Sequence, residues 1–161
     1  MKKTLVVYGS TTGTCDAIAQ TIATALGTSA IDVSQMTKEN IEESEVLILG
    51  TSTWGDGELQ DDWYDGVSVL KSANLSGKTV ALFGCGDGDS YCDTFCDGIG
   101  LIYNEIKDSG CNIVGEVSTD GYSFSSSVAV QNGVFVGLAL DDTNESNKTQ
   151  ERIDAWIESI K

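Results

Sequence analysis

The chain has no proline, no histidine and only 9 lysines and arginines, against 25 aspartates and glutamates in 161 residues. Each shortage excludes something. A formal charge of −16 repels nucleic acid and anionic membranes, so a macromolecular partner is expected to be basic where it touches. Without histidine, Cys85, Cys92 and Cys96 complete no common metal-ligand pattern. The five cysteines, an odd number, are expected to be free thiols of a reducing compartment. No apolar run approaches a membrane span, and "MKKTLVVYGSTTG" lacks the apolar stretch and cleavage site of a signal peptide. A cytoplasmic protein with no membrane or nucleic-acid partner is the expectation. With no linker, no internal repeat and no proline to punctuate the loops, residues 1–161 read as one domain, long enough to bury a full core.

Apolar runs recur at Leu5 to Tyr8, Val46 to Leu49 and Val80 to Phe83, followed by the pair Ile113 to Val117 and Val134 to Leu140. Between them lie helical stripes: Ile18, Ile22, Ala25 and Leu26; Trp63, Val67 and Leu70; Phe95, Ile99, Ile102 and Ile106; Ile153, Trp156, Ile157 and Ile160. Strands alternating with helices predict a parallel sheet covered on both faces. A weaker strand over Ala30 to Val33 is expected at an edge, and the polar stretch Ser118 to Gly133 reads as an insertion between the two halves of the last strand.

"VVYGSTTGTCDAIAQ" carries the first strand into the first helix through Ser10, Thr11, Thr12, Gly13, Thr14 and Cys15. Free backbone N–H groups and the positive end of the helix dipole make such a loop a phosphate site. One hydroxyl would suffice for a helix cap; three between two glycines, with Thr14 just beyond, favour anion binding. There is no Gly-Lys-Ser/Thr ending and no G-x-G-x-x-G, which argues against a triphosphate loop and a dinucleotide site. With no base between Lys3 and Lys38, neutral donors hold the anion, as suits a single terminal phosphate. A signalling receiver domain shares this element order but needs acids after the first strand, where this chain has Gly9 and Ser10.

Taken together, "GSTTGT", "TWGDGELQDDW", "FGCGDGDSYCDTFCDGIG" and "STDGYSF" with "NGVFVGLALDDTNE" resemble the phosphate loop, the two flavin loops, and the insertion and final strand of the long-chain flavodoxins, across essentially the whole chain. The resemblance implies a flavodoxin-like three-layer α/β sandwich, its five-stranded parallel sheet in the order 2-1-3-4-5 with the last strand split by an insertion. It also implies noncovalent FMN. The phosphate would lie on Ser10 to Cys15. The flavin ring would lie between Ser52, Thr53, Trp54, Gly55 and Asp56 on one side and Cys85, Gly86, Asp87, Tyr91, Thr94, Phe95 and Cys96 on the other. Trp54 and Tyr91 would cover its two faces, since flat rings stack at little entropic cost. Trp63 is read as core. In three places the chain departs from the family pattern: Cys15 stands where the loop usually ends in threonine, replacing a hydroxyl donor by a weak thiol; Thr143 stands where many members carry an acid near the ribityl chain; and Gly55 followed by Asp56 looks more like the short-chain flavin loop, which bears on redox tuning.

No base lies between Lys38 and Lys71 or between Lys78 and Lys107, so both flavin-holding loops are purely acidic. At about 10 Å and an effective dielectric of about 40, each carboxylate disfavours an added negative charge by under ~1 kcal/mol. Several together would lower a one-electron potential by on the order of 100 mV. The expected function is therefore a low-potential one-electron carrier cycling between semiquinone and hydroquinone. It would be a monomer and not an enzyme, docking on basic redox proteins such as ferredoxin-dependent reductases and oxidoreductases. The alternative on the same fold is an FMN-dependent NAD(P)H or quinone reductase, which needs room over the ring for a second substrate. Gly55 reads as a hinge whose carbonyl can turn toward the flavin when it gains a proton.

Overall fold

β1 (Thr4–Gly9) forms the middle of a parallel sheet because its alternating side chains are apolar on both faces, as a strand covered on both sides requires. The computed structural model describes residues 3–9, 13–54, 58–142 and 144–160, with Trp54 described by its backbone alone. The chain continues through α1 (Thr14–Ala25), β2 (Ala30–Asp32), a 3₁₀ turn (Val33–Gln35), α2 (Lys38–Glu43), β3 (Val46–Trp54), β4 (Glu58–Leu59), α3 (Asp62–Ser72), β5 (Thr79–Cys85) and α4 (Asp97–Ile106). It then runs through β6 (Asn112–Val114), β7 (Val117–Ser118), β8 (Val130–Gln131), β9 (Val134–Phe135), β10 (Leu138–Leu140) and α5 (Ser146–Ile160).

The parallel order is β2-β1-β3-β5, with the fifth place shared. β6 pairs with the first half of β5, Thr79 to Ala81, and β10 with the second half, Phe83 to Cys85. The split strand in the order 2-1-3-4-5 is thus what the structure contains. The short β4 adds an antiparallel pair to the end of β3, which the sequence reading did not anticipate.

The insertion is longer than the 118–133 expected: it leaves after Val114 and returns at Leu138, and β7, β9 and β8 form a separate antiparallel sheet inside it. The apolar stretches Val117 and Val134 to Val136 therefore belong to the insertion and not to the main sheet. Glycine marks both junctions. Gly115 takes φ 88° beside the Trp156 indole, whose N–H donates to the Gly115 carbonyl at 2.9 Å, and a Cβ on Gly137 would collide with the Leu82 carbonyl.

Two apolar layers flank the sheet. Val6, Ile48, Ala81, Phe83, Leu138 and Leu140 face α1 and α5; Val7, Leu47, Leu49, Val80, Leu82 and Ala139 face α3 and α4. Trp63, Ile99, Ile102, Ile106, Ile153, Trp156 and Ile157 are buried as their spacing predicted. Ala25 is exposed, because the packed stripe of α1 runs instead through Cys15, Ile18, Ala19, Ile22 and Ala23, an i, i+3, i+4, i+7, i+8 pattern. Trp63 does more than fill space: its indole N–H donates to the Gly50 carbonyl at 2.7 Å and ties α3 to β3.

Candidate functional site

The carboxyl ends of β1, β3 and β5 lie side by side, and the chain leaves β1 and β3 toward opposite edges of the sheet. A crevice at such a reversal is where open parallel sheets hold ligands. In sequence, residues 10–12 follow β1, residues 55–57 follow β3 and residues 86–96 follow β5. Ser10, Thr11, Thr12, Gly55 and Asp56 lie outside the described residues, as do Thr143 and the side chain of Trp54.

α1 opens on Gly13 in the left-handed region, φ 95°, with no side-chain cap. Its first helical hydrogen bond runs from the Ala17 N–H to the Gly13 carbonyl at 3.0 Å. The N–H groups of the first turn of α1 itself have no intrahelical acceptor, as at any helix start. Cys15 corrects one expectation. Its side chain is fully buried among the residues under α1, and its thiol is hydrogen-bonded to that of Cys85. That bond, followed by burial, pushes the Cys15 thiol well above its ordinary range. An anion at this helix end would meet the backbone N–H of Cys15, not its sulfur.

β3 ends with Ser52 and Thr53 half-buried, and the Thr53 hydroxyl accepts the Gly98 N–H at 2.9 Å, fixing α4 against the end of the strand. Beyond β5, the Gly86 N–H donates to the Leu140 carbonyl at 2.9 Å, and a Cβ on Gly86 would press on the Cys96 backbone. Asp87 organises the turn that follows: its carboxylate accepts the Asp89 and Ser90 N–H groups at 3.1 and 3.0 Å, and its carbonyl accepts the Tyr91 N–H at 2.9 Å. Those bonds, Ser90's first and then one from Asn144, hold the Asp87 carboxyl below the usual range. Tyr91 presents its ring with 54% of its surface exposed, and the Thr94 N–H closes the turn on the Tyr91 carbonyl at 3.2 Å.

The side chains of Phe95 and Cys96 both turn inward, into the core. Phe95 is 1% exposed and stacks on Phe124, with centroids 5.4 Å apart, beside Tyr122 and Phe135. The Cys96 thiol is buried near the Gly84 and Leu140 carbonyls. The insertion supports this loop from below. The Ser125 and Ser126 N–H groups donate to the Cys92 carbonyl, the Phe95 N–H donates to the Ser126 carbonyl, and the Ser127 hydroxyl donates to the Phe95 carbonyl. Asp97, pushed up by burial, accepts the Val128 N–H at 2.8 Å. No pattern of residues signals these contacts, since they join positions about thirty apart and each uses at least one backbone atom.

The family profile described as Flavodoxin matches residues 6–156. The chain belongs to the flavodoxin family. Among its relatives, a flavodoxin of Buchnera aphidicola is 43% identical over 164 residues, covering 99% of this chain and 96% of the relative. One of Helicobacter pylori is 40% identical over 162 residues, covering 100% and 98%. A solved flavodoxin of Fusobacterium nucleatum, bound to flavin mononucleotide, superposes with a TM-score of 0.93 at 36% identity, covering 99% of this chain and 97% of that one. Of this flavodoxin's own described residues, no group of three or more metal-binding side chains converges and no helix is long and apolar enough to cross a membrane.

Proposed function

We propose that the chain is an FMN-based electron carrier of the long-chain type, and that the crevice at the carboxyl ends of β1, β3 and β5 holds the flavin. The observation that carries this reading is the near-complete likeness, over 99% of the chain, to a flavodoxin bound to flavin mononucleotide, with the carboxyl ends of three parallel strands side by side. The residues present suit that group. α1 offers an uncapped first turn to a phosphate, and an exposed Tyr91 beside β5 offers a flat apolar surface to a ring.

When bound, FMN supplies one-electron chemistry. The chain's own part is binding and tuning. The backbone of residues 10–15 holds the phosphate. Ser52 to Asp56 and residues 85–91 border the ring, with Trp54 and Tyr91 on its faces. Thr94, Phe95 and Cys96 act through their backbone and through support of the loop. The 115–137 insertion supports assignment to the long-chain subgroup. An uncompensated acidic surface favours the fully oxidised and singly reduced cofactor over its most negative form, making the protein a strong donor. It also directs docking toward basic redox proteins, such as ferredoxin-dependent reductases and oxidoreductases, with weak and salt-sensitive affinity. We assign the protein to the cytoplasm as a monomer. A reductase on this fold is disfavoured because rings on both flavin faces leave mainly its edge open.

The test is extraction of the cofactor from purified protein, followed by mass analysis and mixing with NADH. One FMN per chain, reduced by NADH only when a separate reductase is added, is expected. Recovery of FAD, no flavin after reconstitution, or rapid direct reduction by NADH would overturn the reading.

A further inference from the structure

We propose that Asn144 is a positioning residue of the cofactor site: its amide bridges Asp87 and Asp141 and so fixes the turn that presents Tyr91. The inference rests on the flavin reading above. Asp141 follows β10 and is 3% exposed, while Asp87 follows β5. Their carboxylates lie close together, and among the described residues no salt bridge compensates either one. Between them sits one side-chain NH₂, donating to Asp87 Oδ1 at 2.7 Å and to both oxygens of Asp141 at 3.1 Å. An amide nitrogen carries two hydrogens, and here both are spent on carboxylates. The opposite amide orientation would aim its carbonyl at two anions, so the chemistry fixes which end is nitrogen.

The bridge joins two turns. On one side the Asn144 N–H donates to Asp141 Oδ1 at 3.0 Å, so the residue is anchored by its own backbone. On the other, Asp141 Oδ2 accepts the Gly88 N–H at 3.0 Å, and Asp87 holds Asp89, Ser90 and, through its carbonyl, Tyr91. Without the amide, two carboxylates would repel across the gap, and the turn bearing Tyr91 would keep its backbone bonds to Asp141 and Leu140 but lose the side-chain bridge that holds Asp87 beside them.

Three chains test this: the full-length wild type, Asn144→Ala and Asn144→Asp. FMN affinity is measured at about pH 8 and about pH 5, and amide exchange at Gly88 and Tyr91 is followed in the apoproteins. Asn144→Ala is expected to weaken FMN binding roughly three- to tenfold relative to wild type at both pH values. The exchange of both amides should rise by a similar factor. Asn144→Asp should be weaker still at pH 8, where three carboxylates meet, and should recover toward wild type at pH 5, where a shared proton can restore one bridging bond.

The titrating groups facing position 144 are Asp87 and Asp141. Glu145 beside it is engaged by Lys148 and Arg152, Asp142 accepts the Thr149 hydroxyl, and the Cys96 thiol near Asp141 is pushed up by burial, away from this pH range. Recovery specific to the aspartate variant is not expected of a residue that only fills space. Wild-type affinity and exchange in both variants, or an aspartate deficit that does not change with pH, would overturn the proposal. Should the wild type bind no FMN, the flavin reading fails, and the Gly88 and Tyr91 exchange rates still decide the bridge.

Discussion

The two described margins of the crevice are built in opposite ways. At the start of α1 the chain offers backbone donors with no side-chain cap, and its one distinctive side chain, Cys15, is turned into the core. After β5, residues 86–96 are tied down by the last strand, by Asn144 and by the insertion. The difference teaches that a helix end offers an anion its donors from the backbone alone, whereas placing an exposed aromatic ring requires support from distant chain. The insertion supplies that support.

Breaking the supported margin should have the largest effect. Phe95→Ala removes the ring stacked on Phe124 and is expected to cost about 3–5 kcal/mol in chemical denaturation, loosening the Tyr91 loop with it. Next comes Asp97, whose carboxylate anchors Val128. Asp97→Ala leaves that N–H without its acceptor and should cost about 1–3 kcal/mol, with Asp97→Asn avoiding most of that loss because its amide oxygen can still accept.

Within the supported margin, two carboxyls differ in the sign of their pH dependence. Burial raises Asp97 in the folded state, so its contribution is full below the unfolded aspartate value and is lost as pH rises through the raised folded value. Asp87 is lowered, so its contribution is present above the unfolded value and is lost as pH falls through the lowered folded value. Denaturation across the acidic range should show Asp97→Asn removing a loss of stability on rising pH, and Asp87→Asn removing a loss on falling pH. The reverse pairing would contradict the assignment of the two carboxyls.

Much of the fold was legible because periodicity reports burial directly: the two-faced strands and the stripes at Ile99, Ile102 and Ile106 follow from spacing alone. The boundary of the insertion was not, because Val117 and Val134 to Val136 are as apolar as a main-sheet strand and only the partner strand distinguishes the two. For the site, loop chemistry pointed to the three segments that follow β1, β3 and β5. It could not tell which side chains turn inward, as Phe95, Cys96 and Cys15 do, since direction depends on the layer above. α2 escaped notice because it is six residues long, although its capping box of Thr37 and Asn40 is a readable signal.

Smaller effects are expected at the surface and at the phosphate margin. Changing Asp61, Asp62 and Asp65 to asparagine should slow electron transfer to a basic reductase several-fold at low salt and little at high salt. An equal loss on neutralising Glu151 and Glu158 of α5 would assign docking to the wrong face. Cys15→Ala should change FMN affinity by less than about threefold, because the thiol faces Cys85. A larger loss, measured by fluorescence titration of the apoprotein, would return the sulfur to the phosphate site.

The central claim is one-electron carriage by bound FMN, and anaerobic potentiometric titration of the holoprotein tests it most directly. The predicted result is reduction in two resolved one-electron steps, with the second at a potential well below that of free FMN, as an acidic surround without bases requires. A single two-electron step near the potential of the free cofactor would contradict it.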